Sequence, residues 1–197
     1  MDKFRSVIRK SGALLILALL LSTGAHGADF VSGELTSSSP TFDRIFTANV
    51  DPDCNAVSTF SLTGAGVYYQ VFPIYSPSGQ PADIEIVNSI MDTTIALYCN
   101  FDPADASQSL LAYDDDGGAG LLSAITPADG AILQPNTAYD LVVSTFNPGS
   151  VGTFDVVLGG DLRFGTPQPA PVPTLPLLGF LSLGALVGLF GLRKLRR

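Results

Sequence analysis

Hydrophobic and polar residues alternate in short runs through the central part of the chain, from residue 29 to about residue 163. The alternation is clear in Ala82–Ile86 and in Phe154–Leu158, and a period of two residues is typical of half-buried β-strands. Turn-forming residues interrupt the runs about every eight to twelve positions, and no helical period is sustained. The pattern predicts an all-β domain, an antiparallel β-sandwich of jelly-roll type. The predicted strands are Phe30–Thr36, Arg44–Ala48, Val57–Thr63, Val67–Tyr75, Ile84–Asn88, Thr93–Cys99, Leu110–Tyr113, Leu121–Thr126, Ala138–Phe146 and Gly152–Leu158.

The N-terminal segment has a different pattern. Met1–Lys10 carries four basic residues, Gly12–Leu21 is apolar, and small residues follow up to Ala28. This order is that of a secretory signal peptide. It predicts a signal peptide over residues 1–28, with cleavage after Gly27 or Ala28; an uncleaved N-terminal anchor is the alternative. Either interpretation places the central domain outside the cytoplasm.

The C-terminal segment predicts a membrane-spanning helix within residues 174–197. Leu175–Leu192 carries no charge, and a basic cluster, Arg193–Arg197, ends it. As a helix these residues would extend about 27 Å, close to the thickness of a bilayer's hydrocarbon core. The basic end is expected on the cytoplasmic side. Prolines between residues 164 and 173 predict an extended spacer between this helix and the domain of residues 29–163.

Charge is distributed very unevenly along the chain. Between the two basic ends lie only two arginines, Arg44 and Arg163, against seventeen carboxylates, which gives this part a formal charge of about −15. Such a surface repels nucleic acid and anionic lipid and attracts cations. We therefore expect no nucleic-acid partner.

The exported part also lacks several residue types that catalysis commonly needs. The single His of the chain is His26, within the predicted signal peptide, no Lys lies between Lys10 and Lys194, and the chain contains no Trp. These absences exclude a Ser-His-Asp or Cys-His mechanism, a lysine Schiff base and a His-ligated zinc site from the exported part. We expect a protein that is not an enzyme.

Two cysteines, Cys54 and Cys99, lie in the predicted exported domain. In an oxidising compartment an even number of cysteines favours a structural disulfide. A pair of unlinked buried thiols is the alternative.

The C-terminal segment resembles the PEP-CTERM group of bacterial sorting signals. Val172–Leu175 reads Val-Pro-Thr-Leu, similar to the IPTL-type variant, and an apolar run and a basic cluster follow it. The resemblance departs from that variant at Pro176–Gly179, where Ser-Glu-Trp-Gly is usual. It implies a Gram-negative source, an exosortase-type membrane protease as partner, and transfer to the cell surface or extracellular matrix. A plain single-pass anchor is the alternative.

The central domain resembles the bacterial pre-peptidase C-terminal (PPC) family, whose members are β-sandwiches. The resemblance covers about residues 36–160, and the insertion at Phe101–Ser107 and both cysteines lie outside the family pattern. It implies that Asp92 lies near the Asp-rich segment that begins at Tyr113. The motifs that carry it are Thr41–Arg44, Asp92–Tyr98, Tyr113–Gly120 with Ser123, Leu133–Val143 and Gly152–Val156.

The most concentrated candidate chemistry is Asp114-Asp115-Asp116-Gly117-Gly118. Adjacent carboxylates repel one another, hard oxygen ligands suit Ca²⁺, and glycine permits a tight turn. Together with Asp92, residues Asp114 to Gly117 form a candidate calcium site. A solvated acidic turn that ends a strand is the alternative.

Three functions remain compatible with the sequence. The first is a non-catalytic surface or matrix protein whose sandwich is a structural or adhesive module. The second is a calcium-dependent module that binds extracellular polysaccharide or surface proteins. The third is a small secreted hydrolase that uses a pair of carboxylates. Aromatic residues between Tyr68 and Tyr75 are expected to form a core face and a half-exposed face rather than a sugar platform.

Overall fold

The computed structural model describes residues 28–46, 49–56, 59–60 and 64–169. This part of the chain is all-β, with antiparallel sheets and one turn of 3₁₀-helix, Pro127–Asp129. The strands are β1 Asp29–Leu35, β2 Thr41–Phe42, β3 Ile45–Phe46, β4 Thr59–Phe60, β5 Val67–Tyr75, β6 Ile84–Val87, β7 Thr93–Tyr98, β8 Leu110–Asp114, β9 Ala124–Ile125, β10 Ala138–Thr145, β11 Gly152–Leu158 and β12 Arg163–Phe164.

The larger sheet has the order β12-β5-β10-β7-β8, and the short β2 also pairs with β5. Its centre is β10, which pairs with β5 over Ala138–Ser144 and with β7 over Asp140–Thr145. Every residue of β7 is buried. A strand covered on both faces needs apolar or small polar residues throughout, which explains why Thr93–Tyr98 shows no alternation.

The smaller sheet has the order β1-β11-β6-β9 and covers one face of the larger sheet. In β11 the buried residues are Phe154, Val156 and Leu158, and the residues between them are less covered. These side chains pack against Phe72, Ile74 and other inward-facing residues of the larger sheet. The alternation of buried and less covered residues in this sheet therefore corresponds to one side that faces the core and one side that faces solvent.

A second hydrophobic cluster covers the opposite face of the larger sheet. It joins Tyr98, Ala96 and Val142 of the sheet to Phe42 of β2, Ile45 of β3 and Ala106 of the segment between β7 and β8. Phe101 packs edge-on against Phe42 and Tyr69 at centroid distances of 5.5 and 5.2 Å. The segment between β7 and β8 that contains Phe101 thus supplies part of the cover.

The disulfide between Cys54 and Cys99 confirms the predicted pairing. The two Cα atoms lie 6.0 Å apart, and Cys54 is buried. The bond ties the covering segment 49–56 to the residue that follows β7. A disulfide is compatible with the predicted export of the domain.

The all-β prediction is confirmed, and β5 and β11 have the predicted bounds. Tyr68 and Phe72 face the inter-sheet core, and Tyr69 and Val71 face the second cluster, as expected. Sequence patterning missed two strands of two residues, β2 and β12. Phe164, which the sequence placed in the spacer, pairs with Ile74 as the second residue of β12.

No helix in the described ranges is both long and apolar enough to cross a membrane. The C-terminal helix, the sorting motif Val172–Leu175 and residues 1–27 of the signal peptide lie outside these ranges. Their assignments remain predictions.

Candidate functional site

The acidic turn, residues 114–118, begins at the last residue of β8. Asp114 Oδ2 accepts hydrogen bonds from the backbone N–H of Gly117 at 2.8 Å and of Ala124 at 2.9 Å. The carboxylate therefore closes the turn on itself and holds it against β9. A Cβ on Gly117 would lie 2.7 Å from the carbonyl oxygen of Ala124 and 2.8 Å from both Asp114 carboxylate oxygens, so this position requires glycine.

A buried pair of hydroxyls brings the start of β7 to the acidic turn. Ser123 Oγ lies 2.7 Å from the carbonyl oxygen of Thr93 and 3.1 Å from that of Asp115. The backbone N–H of Ser123 donates to Thr93 Oγ1 at 3.1 Å. Asp92 precedes Thr93, and its carboxylate lies close enough to Asp116 and Asp115 for their charges to act on it.

The carboxylates of this region influence one another. Burial raises the pKa of Asp92, and the charges of Asp116 and Asp115 raise it further, while Arg44 opposes them. Burial also raises the pKa of Asp114, although the hydrogen bonds from Ala124 and Gly117 act against this. Like charges that disfavour each other's ionised form create a local preference for a cation.

Arg44 supplies the buried positive charge of this region. It is 1% exposed, donates from Nη1 to Tyr113 Oη at 2.6 Å and from Nη2 to the Phe146 carbonyl at 3.2 Å, and lies over the Phe146 ring at 4.4 Å from its centroid. Burial raises the pKa of Tyr113 to about 12, so its hydroxyl stays protonated at neutral pH. Arg44 thus links the β2–β3 segment to β8 and to the residue that follows β10.

A pocket of about 330 Å³ opens beside the acidic turn. Phe46, half exposed, stands edge-on to Tyr113 with ring centroids 6.1 Å apart. Polar and apolar surface contribute to the lining in comparable amounts, with aromatic and aliphatic carbon beside three carboxylates. The lining residues are Phe46, Val50, Ala112, Tyr113, Asp114, Asp115, Ile125 and Asp129.

The predicted calcium ligands form no ready-made metal cage. Among the described residues, no group of three or more His, Cys, Asp or Glu side chains is placed to hold a metal ion. One oxygen of Asp114 is engaged by two backbone N–H groups, and Asp116 is exposed. Ca²⁺ takes six to eight oxygen ligands, so these residues would need to rearrange around the ion. The calcium assignment remains a prediction.

Sequence reasoning did not find the pocket, because its walls come from distant segments. Phe46 and Val50 lie more than sixty residues before Asp114, and no spacing signal connects them. Asp129 did carry a local signal: its Oδ2 accepts from Thr126 N at 2.7 Å and Thr126 Oγ1 at 2.8 Å, the Thr-x-x-acid pattern of a helix start. That pattern indicates a turn and gives no indication of a pocket.

Comparison with known proteins does not identify the chain: no protein-family model, no curated protein and no solved structure matches it significantly.

Proposed function

We propose that this chain is an exported, non-catalytic protein of the bacterial cell surface or extracellular matrix. Its domain would be a jelly-roll-like β-sandwich related to the PPC family, acting as a structural or adhesive module. Val172–Leu175 would direct it to an exosortase-type protease. The observation that carries the proposal is the combination of a disulfide-linked all-β domain with an exported sequence that contains neither His nor Lys.

The arrangement of the domain's ends supports a tethered module. The backbone N–H of Phe164 donates to Asp29 Oδ2 at 2.9 Å, so the first and last strands of the domain meet. The acidic turn lies towards the other end of the larger sheet. Phe164 pairs with Ile74 of β5. The row of paired residues that starts at Asp114 and runs across the sheet reaches β5 at Gln70, four residues before Ile74. A C-terminal tether would therefore hold the acidic turn and its pocket away from the membrane.

Mass spectrometry of the protein recovered from the cells that make it tests the proposal. We expect a mature chain that begins at Ala28 or Asp29 and ends near Pro173–Thr174. A Pro173→Ala, Thr174→Ala variant should retain its tail, whereas Pro167→Ala, a matched change in the spacer, should be processed normally. Recovery of the surface-exposed protein with its C-terminus intact at Arg197 would contradict the sorting proposal.

A calcium-dependent binding module is the second candidate, and the mutual influence of Asp92, Asp115 and Asp116 favours it. An ion that binds only the folded state raises the unfolding temperature, and the stabilisation grows with the logarithm of the ion concentration above its dissociation constant. Millimolar Ca²⁺ should then stabilise the protein more than Mg²⁺ does, and Asp92→Asn should abolish the difference. Equal unfolding temperatures with Ca²⁺ and with EDTA would exclude the site.

A further inference from the structure

We propose that the pocket beside the acidic turn binds a cationic aliphatic side chain, lysine or arginine, of a partner protein. This inference deepens the adhesive role proposed above and rests on it for its biological context. It names the chemistry of what the module would bind. The argument comes from the size, the walls and the charge of the pocket.

The size of the pocket suits one side chain. Its volume of about 330 Å³ lies at the lower end of the range of small-molecule sites. A single lysine or arginine side chain fits within this space. The pocket is also open to solvent through half-exposed Phe46, so an incoming side chain has access.

The walls match the stem of such a residue. Phe46, Val50 and Ile125 present carbon surface, and Phe46 and Tyr113 meet edge-on. Lysine and arginine bury their methylene groups against apolar surface while their charged ends remain among polar groups. Aromatic rings add attraction for a cation.

The negative charge of the pocket favours a ligand side chain with a positively charged end. Asp114, Asp115 and Asp129 all line the pocket, and the charges of Asp115 and Asp129 both act on Asp114. Asp114 and Asp129 each use Oδ2 to accept hydrogen bonds from the chain itself, and the described hydrogen bonds leave Oδ1 of both to other partners. A single bound cation would interact with several carboxylates at once. Phe46, Val50 and Ile125 supply carbon to part of the lining, so an organic cation, which needs fewer oxygen ligands than the six to eight that Ca²⁺ takes, suits the pocket better.

The partner is a different protein rather than a second copy of this domain. The exported part contains only two basic residues. Arg44 is buried, and Arg163 lies in β12 next to the predicted tether. Another copy therefore has no exposed lysine or arginine to offer from its described surface, apart from the half-buried Arg163.

Binding of Nα-acetyl-arginine amide and Nα-acetyl-lysine amide to the purified full-length protein tests the inference. Isothermal calorimetry in EDTA keeps calcium out of the measurement. We expect dissociation constants on the order of 1 mM, as for other ligands of this size. The neutral analogues Nα-acetyl-citrulline amide and Nα-acetyl-norleucine amide should bind about tenfold more weakly, a difference of about 1.4 kcal/mol.

Two variants locate the site. Asp115→Asn should weaken arginine amide binding about three- to fivefold, the range of a partly exposed ion pair. Glu34→Gln removes the same charge from the exposed face of β1 and should leave binding unchanged. Phe46→Ala removes one wall without changing the charge and should also weaken binding, so it replaces Asp115→Asn if that variant fails to fold.

Three results would overturn the inference. They are absence of binding at 20 times the expected dissociation constant, equal binding of the neutral analogues, and equal weakening by Glu34→Gln and Asp115→Asn. The last result would mean that the acidic surface attracts cations without a site. Each of these leaves the sorting proposal untouched, because mass spectrometry of the mature chain tests that proposal separately.

Discussion

Asp114 is the residue on which the geometry of the acidic turn depends. Its carboxylate accepts two backbone N–H groups from positions three and ten residues further along the chain. Hydrogen bonds to a charged acceptor contribute about 1.5–3 kcal/mol each, and a buried donor left without a partner costs a similar amount. A residue predicted as one of the calcium ligands therefore has a structural role of its own.

Replacing Asp114 should separate this structural role from that of its neighbours. Asp114→Ala is expected to lower the free energy of unfolding by about 2–3 kcal/mol, because Gly117 and Ala124 lose their acceptor. Asp114→Asn retains an acceptor oxygen and should cost less. Chemical denaturation measures the difference. Asp116→Ala, at the exposed next-but-one position, is the control, and an equally large loss there would contradict the assignment.

Ionisation of the acidic residues should make stability depend on pH in two opposite ways. Burial raises the pKa of Asp92 and of Asp114 above the ordinary value of 3.8. Above 3.8 the folded state then binds more protons than the unfolded state, so lowering the pH from 7 through these raised values stabilises the fold. The unfolding temperature should rise on mild acidification, and Asp92→Asn should reduce that rise.

A separate contribution to stability, from two other aspartates, is lost at lower pH. A hydrogen bond from Ser32 lowers the pKa of Asp155, and for Asp161 the hydrogen bonds from Ser76 and Ser78 outweigh the effect of burial. The stabilisation from these two residues is present above 3.8 and disappears as the pH falls through their lowered values. Thermal unfolding measured at intervals of half a pH unit should show a maximum on the acidic side. A maximum at neutral pH, unchanged in Asp92→Asn, would contradict this prediction.

At the level of elements, alternation predicted the strands that lie at a surface and failed where burial is complete or pairing is brief. β11 shows one face to solvent, and its bounds follow from its sequence. β7 is buried throughout, and its β-branched residues and bounding turns identified it instead. β2 and β12 each have two residues, too few for any period to appear. Both strands form by pairing with β5, and the local sequence of each contains no signal for a partner so distant in the chain.

The covering segment that carries Cys54 should depend on the disulfide more than the sheets do. Closing a loop of 45 residues stabilises a fold by about 4 kcal/mol in the chain-entropy description. The double variant Cys54→Ala, Cys99→Ala should lose a comparable free energy of unfolding. Calorimetry of the wild type with a reductant should give the same loss.

The control for the disulfide is the double variant itself, since a reductant should not lower its unfolding temperature further. Amide hydrogen exchange should increase first in residues 49–56, where the bond is attached, and least in β10 at the centre of the larger sheet. Uniform loss of protection across both regions would mean that the disulfide supports the whole domain rather than its cover.

For the molecule as a whole, the sequence predicted the all-β class of fold but could not predict the pocket. The Asp-rich segment, Asp92 and Ser123 were all identifiable, because they lie in short motifs. The walls, Phe46 and Ile125, come together only because the segment after β3 lies beside β8, to which it is hydrogen-bonded through Asp51 and Ala56. Long-range packing of this kind leaves no trace in local spacing.

The burial of Arg44 has a consequence for the resistance of the domain to proteases. Trypsin-like proteases cut after lysine and arginine, and residues 29–169 contain only Arg44 and Arg163. Arg44 is 1% exposed, and Arg163 is held in β12. Native protein incubated with trypsin should keep this domain intact on a gel, whereas after denaturation and reduction it should be cut at both arginines. Rapid cleavage of the native domain after Arg44 would contradict this. A domain whose arginines are inaccessible to trypsin-like proteases resists cleavage wherever such proteases are secreted.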